Sequence, residues 1–566
     1  MIRKTSYRAI LLVDLVLPTV CVAAPSDRAP AAGGTVATVH PLGTDAGVEA
    51  LKRGGNAVDA AVAAALMLGV VDGRNAGIGG GCFILIRLAD GQFVAIDGRE
   101  TAPKAATRDM YLRDGEPQPE LSLTGPLASG VPGALAAYDL AVRRFGRLPL
   151  RDLILPGAQT AERGFAIQPA YAGALQDAAK TLMSFEGSRA VLLRPDGSPY
   201  QAGDVLKQPD LARTYRAIAE HGIDWFYRGP FAREVATWMS QHGGPLTAED
   251  FSDYRVKVRG PVTTTYRQYT VVGFPPPSSG GVHVAQMLNI LERFDLKAIH
   301  ARDPAAFYHV AAEAMKLAFA DRAHWLGDPD FADVPRGLVD KSYGRALARQ
   351  IAPDKVAAVP THGHPPRSEE DHFGKHTTHV AAADEEGNWV AITATVNMEF
   401  GSKVIVPSTG VILNNEMDDF SVAPGAPNAF GLFGAEANAV APGKRPLSSM
   451  SPTIVLEEGK PILTLGAAGG PRIITQVLMT ILYHLDLGMD LPHALAAPRI
   501  HHQWRPDKLV VETSLAPAIV AALEKLGHHV ERTSSVGITQ AIGVSGEGSG
   551  LIGVHDPRVQ GKAAAF

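Results

Sequence analysis

The stretch FGKHTTHVAAADEEGNWVAIT, residues 373–393, sets two adjacent threonines between histidines just ahead of a strand-like run. If the bond between His376 and Thr377 were cut, Thr377 would carry a hydroxyl and a free α-amine on adjacent carbons. An amino terminus has a reference pKa of about 7.7, so a useful fraction is unprotonated near neutrality. It can then act as general base for the hydroxyl beside it. No separate His–Asp pair is needed, and the β-branched side chain restricts χ1. The surroundings suit such a cut. Residues 355–376, KVAAVPTHGHPPRSEEDHFGKH, are polar and without periodicity, and read as a loop or mobile tail able to swing away. The plainer alternative is that Thr377 and Thr378 simply open a strand.

Five histidines, His362, His364, His372, His376 and His379, fall within or just after this tail. Their spacings match none of the familiar zinc patterns, and no metal is expected.

The elements that must position a Thr377 nucleophile follow from apolar patterning. Thr378 to Ala383, a Glu-Glu-Gly-Asn turn and Trp389 to Val396 read as a hairpin, and GVILNN from Gly410 and SPTIVLEEGKPILTLGAAGG continue in strand style. Earlier, Cys82–Leu88 and Gln92–Asp97 read as short, largely apolar strands about an Ala-Asp-Gly turn, as for strands covered on two sides. Thr44 or Asp45 can cap a short helix ending at Gly54-Gly55. Asn56 with Asp59 reads as a capping box for a buried helix to Val71. Pro132 can occupy the first turn of a helix reaching Phe145. Helical patterns cover 151–163, 210–221, 230–240 and 282–294. TTTYRQYTVVGFPPPSSGG supplies a strand, a proline turn and a Ser-Ser-Gly-Gly helix entry. The late segments 472–486 and 514–526 also read as helices.

The chain has 566 residues, 46% hydrophobic and 20% charged, with a net charge of −5. That is globular composition without the basic stripe that nucleic acid demands. Residues 1–24 resemble a secretory signal: Arg3, Lys4 and Arg8, then an apolar middle interrupted by Asp14, then Val22-Ala23-Ala24. Cys21 is a poor match to a lipidation signal. Cleavage after Ala24 would leave Cys82 as the sole thiol, so export is expected without an internal disulfide.

DGRETAP from Asp97, HTTH from His376, TATVNMEFGS from Thr393, GVILNNEMDDFS from Gly410, PGKRPLSSMSPTIV from Pro442 and GAAGGPRI from Gly466 follow in order. With these strings the chain resembles the γ-glutamyltransferases (γ-glutamyltranspeptidases) of the N-terminal-nucleophile hydrolase superfamily. The resemblance implies an α+β fold, a four-layer αββα sandwich formed by two intertwined subunits. One precursor cuts itself at His376–Thr377, giving a large subunit of residues 25–376 and a small one of 377–566 that stay together as a heterodimer. Thr377 is the implied nucleophile and Thr395 its supporting hydroxyl. Gly469 and Gly470 form the oxyanion hole, where glycine lets backbone N–H groups approach closely. Arg99, with Ser448 and Ser449, takes the α-carboxylate of the donor, a task suited to a planar fork. Asn397, Glu416 and Asp419 take its α-ammonium. No cofactor is implied. Glutathione and related γ-glutamyl compounds are the implied donors, water or amino acid and peptide amines the acceptors, and the periplasm the expected location.

Residues 424–446 resemble a lid loop over the donor pocket. The family aromatic there is often a tyrosine bonded to a nearby asparagine; Phe430 keeps the apolar cover without that hydroxyl. The rival within the superfamily is a cephalosporin acylase acting on glutaryl side chains. Such a donor has no α-ammonium, so the Asn397, Glu416 and Asp419 set argues against it. A non-catalytic exported binding or structural protein would have no use for a nucleophile retained beside every substrate ligand, and would stay uncut.

Overall fold

The computed structural model describes residues 33–366, 379–423, 425, 427–545 and 550–566; the leader, His372, His376, Thr377 and Thr378 lie outside them. Two antiparallel sheets carry the fold. The seven-stranded sheet runs Lys562–Ala565, Gly34–Thr38, Val380–Asp384, Trp389–Thr395, Gly81–Arg87, Phe93–Gly98, Lys257–Arg259. The six-stranded sheet runs Leu551–Val554, Ile538–Val544, Lys460–Ala468, Thr453–Glu457, Tyr269–Gly273, Val262–Tyr266. Both contain strands from before and after the predicted cut, interleaved in the first sheet and in two adjacent blocks in the second.

Side-chain alternation explains how the sheets are covered. Along Gly81–Arg87, Cys82, Ile84 and Ile86 enter one apolar cluster with the helix Ala57–Val71. Phe83 and Leu85 enter a second with Leu463, Leu465 and Ala467 of the other sheet. The helices Gly280–Leu291 and Arg472–Ile481 join that second cluster. The hairpin at 380–395 sits in the middle of the first sheet, with Val380 paired to Ile392. Cys82 is buried and free.

The Asn56–Asp59 capping box forms as expected: Asn56 Oδ1 accepts from Val58 N at 2.9 Å, and Asp59 Oδ2 from Asn56 N at 2.9 Å. Other boundaries differ. The first helix is Pro41–Lys52 and is capped by His40, whose Nδ1 accepts from Leu42 N at 3.2 Å. Thr44 instead faces inward and donates to Lys562 O at 2.8 Å. Pro132 precedes the helix Ala134–Phe145, with Gly133 as its N-cap. The segment read as one strand near 263–273 is two, turning at Arg267 with φ +55°. The late helices are shorter, Arg472–Ile481, followed by a wider turn over Leu482–Asp486, and Pro517–Lys525.

GVILNN forms no strand. Gly410 has φ +66°, and a Cβ there would meet Leu211 N at 2.2 Å. Asn414 and Asn415 then act as backbone clamps. Asn414 Nδ2 donates to Gly79 O and Gly130 O, both at 2.9 Å, and Asn415 Nδ2 to Leu123 O at 3.1 Å.

Candidate active site

The site forms where several chain turns meet at the ends of both sheets. Trp389–Thr395 delivers Thr395, and the chain leaves it by a turn at Asn397, φ +75°. Thr395 Oγ1 accepts from Asn397 N at 2.7 Å, and Asn397 Nδ2 donates to Asn415 O at 3.0 Å. The turn Glu416–Asp419 is held from behind, Asn414 Oδ1 accepting from Glu416 N at 3.0 Å.

Lys460–Ala468 ends at Gly469 and Gly470, with φ of +138° and +58°, and Arg472–Ile481 begins at once. Both glycine carbonyls accept from that first helical turn, Arg472 N at 3.3 Å and Ile473 N at 3.1 Å. Neither glycine N–H donates to a described residue. Two open donors at a helix start make a ready anion site.

Ser448 and Ser449 are buried in the chain before Thr453–Glu457. Ser448 N donates to Pro277 O at 2.7 Å, and Ser279 returns two bonds to Ser448 O, from N and from Oγ, both 2.7 Å. Ser449 Oγ accepts from Arg322 Nη2 at 2.9 Å.

Thr395, Asn397, Glu416, Asp419 and Phe430 line one cavity of about 270 Å³ with Ser448, Ser449, Gly469 and Gly470. Nine positions chosen from sequence thus share one wall. Phe430 lies over Gly470, and its loop is fastened from below by Asn428 Oδ1, which accepts from Phe430 N at 3.0 Å and Leu432 N at 3.1 Å. Asp418 Oδ2 accepts from Ala429 N at 3.2 Å. His376 and Thr377 are outside the described residues. His379 is buried beside Gly466, where a Cβ would meet its Nδ1 at 2.4 Å.

Arg99 is placed differently from the expectation of an open fork. It is wholly buried behind the wall, its Nη1 donating to Glu416 Oε1 and its Nη2 to Asp419 Oδ2. Burial disfavours its charge, yet Glu416, Asp419 and Glu100 outweigh that and hold it above the ordinary arginine range. Asp419 Oδ1 accepts no bond from a described residue, leaving an acceptor on the cavity side.

Three participants escaped the sequence reading. Glu100 is wholly buried within DGRETAP, and its carboxyl is pushed up to about 7, first by burial, against the pull of Arg99. Burial also raises Glu416, as do Glu100 and Asp419. Adjacent buried carboxyls each disfavour the other's ionisation. Gly81 makes room for Glu100: a Cβ there would lie 2.1 Å from its Oε2. The other two are Ser279 and Arg322. The signal for Glu100 was its place beside Arg99; Arg322 lies far away in sequence, on a helix with apolar residues all round.

His309, Glu313 and His528 bring three ligand-type atoms within 4.8 Å. All are engaged. His309 Nε2 faces Ala352 O at 2.7 Å and so carries the proton, leaving Nδ1 to accept from His528 Nε2 at 2.8 Å. Glu313 pairs with Lys316 at 2.7 Å. In the tail, His362 stacks on His324, with ring centroids 3.6 Å apart.

A strand-borne hydroxyl, paired backbone donors and carboxylates thus meet at one cavity, and the fold gives the class. The chain superposes on the crystal structure of cephalosporin acylase from Bacillus halodurans with a TM-score of 0.86 at 29% identity, covering 98% of this chain and 99% of that one. Gamma-glutamyltranspeptidase from Helicobacter pylori superposes over 56% of this chain and 92% of its own, with a TM-score of 0.55 at 40% identity. The class is that of the N-terminal-nucleophile hydrolases.

Residues 43–566 match the family described as Gamma-glutamyltranspeptidase. The chain is 44% identical over 528 residues to the glutathione hydrolase proenzyme of Escherichia coli (strain K12), covering 93% of this chain and 90% of that protein. It belongs to the gamma-glutamyltranspeptidase family.

Proposed function

We propose that the protein is a self-cleaving γ-glutamyltransferase and glutathione hydrolase, and that Thr377 is its nucleophile. The observation that carries this reading is the single cavity shared by Thr395, the Asn397/Glu416/Asp419 set, Ser448, Ser449 and the two glycines. The pairing register supports it. The strand Val380–Asp384, which begins three residues after Thr377 in sequence, pairs with the strand that ends at Thr395, and Thr395 would support the nucleophile's oxygen.

The chemistry runs in two halves. Thr377 Oγ attacks the γ-amide carbon of the donor while its α-amine takes the hydroxyl proton. Negative charge gathers on the carbonyl oxygen against the N–H groups of Gly469 and Gly470. Collapse breaks the C–N bond, the leaving amine takes the proton, and a γ-glutamyl ester remains on Thr377. For glutathione the leaving amine is cysteinylglycine. Water then releases glutamate, or an amino acid or peptide amine gives a new γ-glutamyl compound.

Asn397, Glu416 and Asp419 hold the donor ammonium, and Ser448 and Ser449 receive its carboxylate with Arg99 behind them. Four layers, helices outside two facing sheets, are the arrangement that best accounts for the alternating burial. Both sheets contain strands from 25–376 and from 377–566 hydrogen-bonded to one another, which supports a heterodimer that survives scission. Residues 1–24 direct export to the periplasm. Among the described residues no helix is long and apolar enough to cross a membrane.

Release of nitroaniline from γ-glutamyl and glutaryl anilides by the cut protein tests the substrate class. Faster release from the γ-glutamyl compound is expected; preference for the glutaryl one would make the enzyme an acylase.

A further inference from the structure

Arg322 lies near the end of the 22-residue helix Pro304–Trp325, 5% exposed, with no carboxylate within ion-pair distance among the described residues. A buried guanidinium without a counter-ion is costly. Arg99, close by, has three carboxylate partners, whereas Arg322 has two hydroxyls. Its Nε donates to Ser279 Oγ at 2.9 Å and its Nη2 to Ser449 Oγ at 2.9 Å. Burial pushes the guanidinium down to about 10, with Asp419 pulling the other way, so it remains a cation near neutrality.

A guanidinium has donors only. Because Ser449 Oγ must accept from Arg322, its own hydrogen is left to donate, and Ser449 lies on the cavity wall. Ser279 accepts from Arg322 in the same way and directs its hydrogen to Ser448 O at 2.7 Å. One cation thus orients Ser449 and fixes the backbone of Ser448.

We propose that Arg322 is a positioning and specificity-determining residue: through Ser449 and Ser279 it turns the serine pair into donors and supplies the unmatched positive charge that an α-carboxylate neutralises. The inference rests on the γ-glutamyl reading above. Arg99 stands behind the serine pair and holds Glu416 and Asp419, while Arg322 adds to the pocket's selection of a carboxylated donor. The interaction is made equally with bound donor and transition state, so its loss raises KM more than it lowers kcat.

The test compares the cut enzyme on γ-glutamyl-4-nitroanilide and on 4-aminobutanoyl-4-nitroanilide, which lacks only the α-carboxylate. In Arg322→Gln, kcat/KM for the carboxylated donor falls by about 10- to 100-fold, the scale of a hydrogen bond to a charged group, mainly through KM, while the other donor is unaffected. Equal losses on both donors, or an undiminished preference, overturn the proposal. If Arg322→Gln does not accumulate as cut protein, Arg322→Lys, which keeps the charge but loses the fork, is read in a cycle with Ser449→Ala. Arg322→Lys then lowers the preference alone but not once Ser449→Ala is present; additive losses contradict action through Ser449. A wild type with no preference for the carboxylated donor overturns the γ-glutamyl reading itself, and this inference with it.

Discussion

Phe430 covers Gly470 so closely that a Cβ on the glycine would lie 2.7 Å from the phenyl ring. Gly470 also holds φ +58°, where an L side chain is strained by about 1–2 kcal/mol. Phe430 and Gly470 are therefore one packed unit. Gly470→Ala must displace the ring, re-aim the N–H, or both. Its kcat on a γ-glutamyl anilide is expected to fall by about tenfold or more, toward the 10²–10³ of losing a donor outright. Wild-type kcat would show that Gly470 takes no part.

Phe430 carries no hydroxyl to bond across the lid, and its loop depends on Asn428 and Asp418 for its shape. Phe430→Tyr supplies that hydroxyl. Slower lid opening should shift the ratio of hydrolysis to transfer, measured with and without an amino acid acceptor. An unchanged ratio argues against a lid role.

Arg99 sits wholly buried among Glu416, Asp419 and Glu100. Arg99→Gln leaves buried anions without their cation, and such breakage costs about 3–5 kcal/mol. The urea midpoint should drop accordingly, alongside a raised KM for the donor. A variant as stable as wild type would mean that the carboxylates are held another way.

Histidines kept neutral by burial make stability fall in acid. Burial lowers His283, His379, His501 and His528 to about 3 and His40 to about 4, from 6.5. The unfolded chain binds more protons between these values, so stability rises with pH and is lost as pH falls from 6.5 towards 3. Glu100, raised from 4.5 to about 7, and Asp418, raised from 3.8 to about 6, work in the opposite sense, losing stability as pH rises through those ranges. The histidine share is isolated by comparing variants. Between pH 6.5 and 4 the urea midpoint of His283→Gln should lose less, or gain more, than that of the wild type; identical pH profiles contradict this.

The hairpin around 380–395, the Asn56 capping box and the pocket residues were legible because each is local: alternation, a three-residue spacing, a recognisable string. What escaped depended on tertiary contact. His40 rather than Thr44 caps the first helix because Thr44 is drawn inward to Lys562 O. GVILNN has strand composition, yet Gly410 packs against Leu211 and the asparagines clamp distant backbone. The helix carrying Arg322 went unread because it is buried over nearly its whole length, which erases the polar face that marks an amphipathic helix. Nothing in the neighbourhood of Arg322 in sequence points to Ser449.

Amino-terminal sequencing of the smaller fragment of the purified protein probes most directly the cut that creates the nucleophile. Two fragments are expected, the smaller beginning Thr-Thr-His-Val at residue 377, with Thr377→Ala remaining whole and inactive. A chain that stays in one piece while active, a fragment starting elsewhere, or full turnover by Thr377→Ala would contradict it.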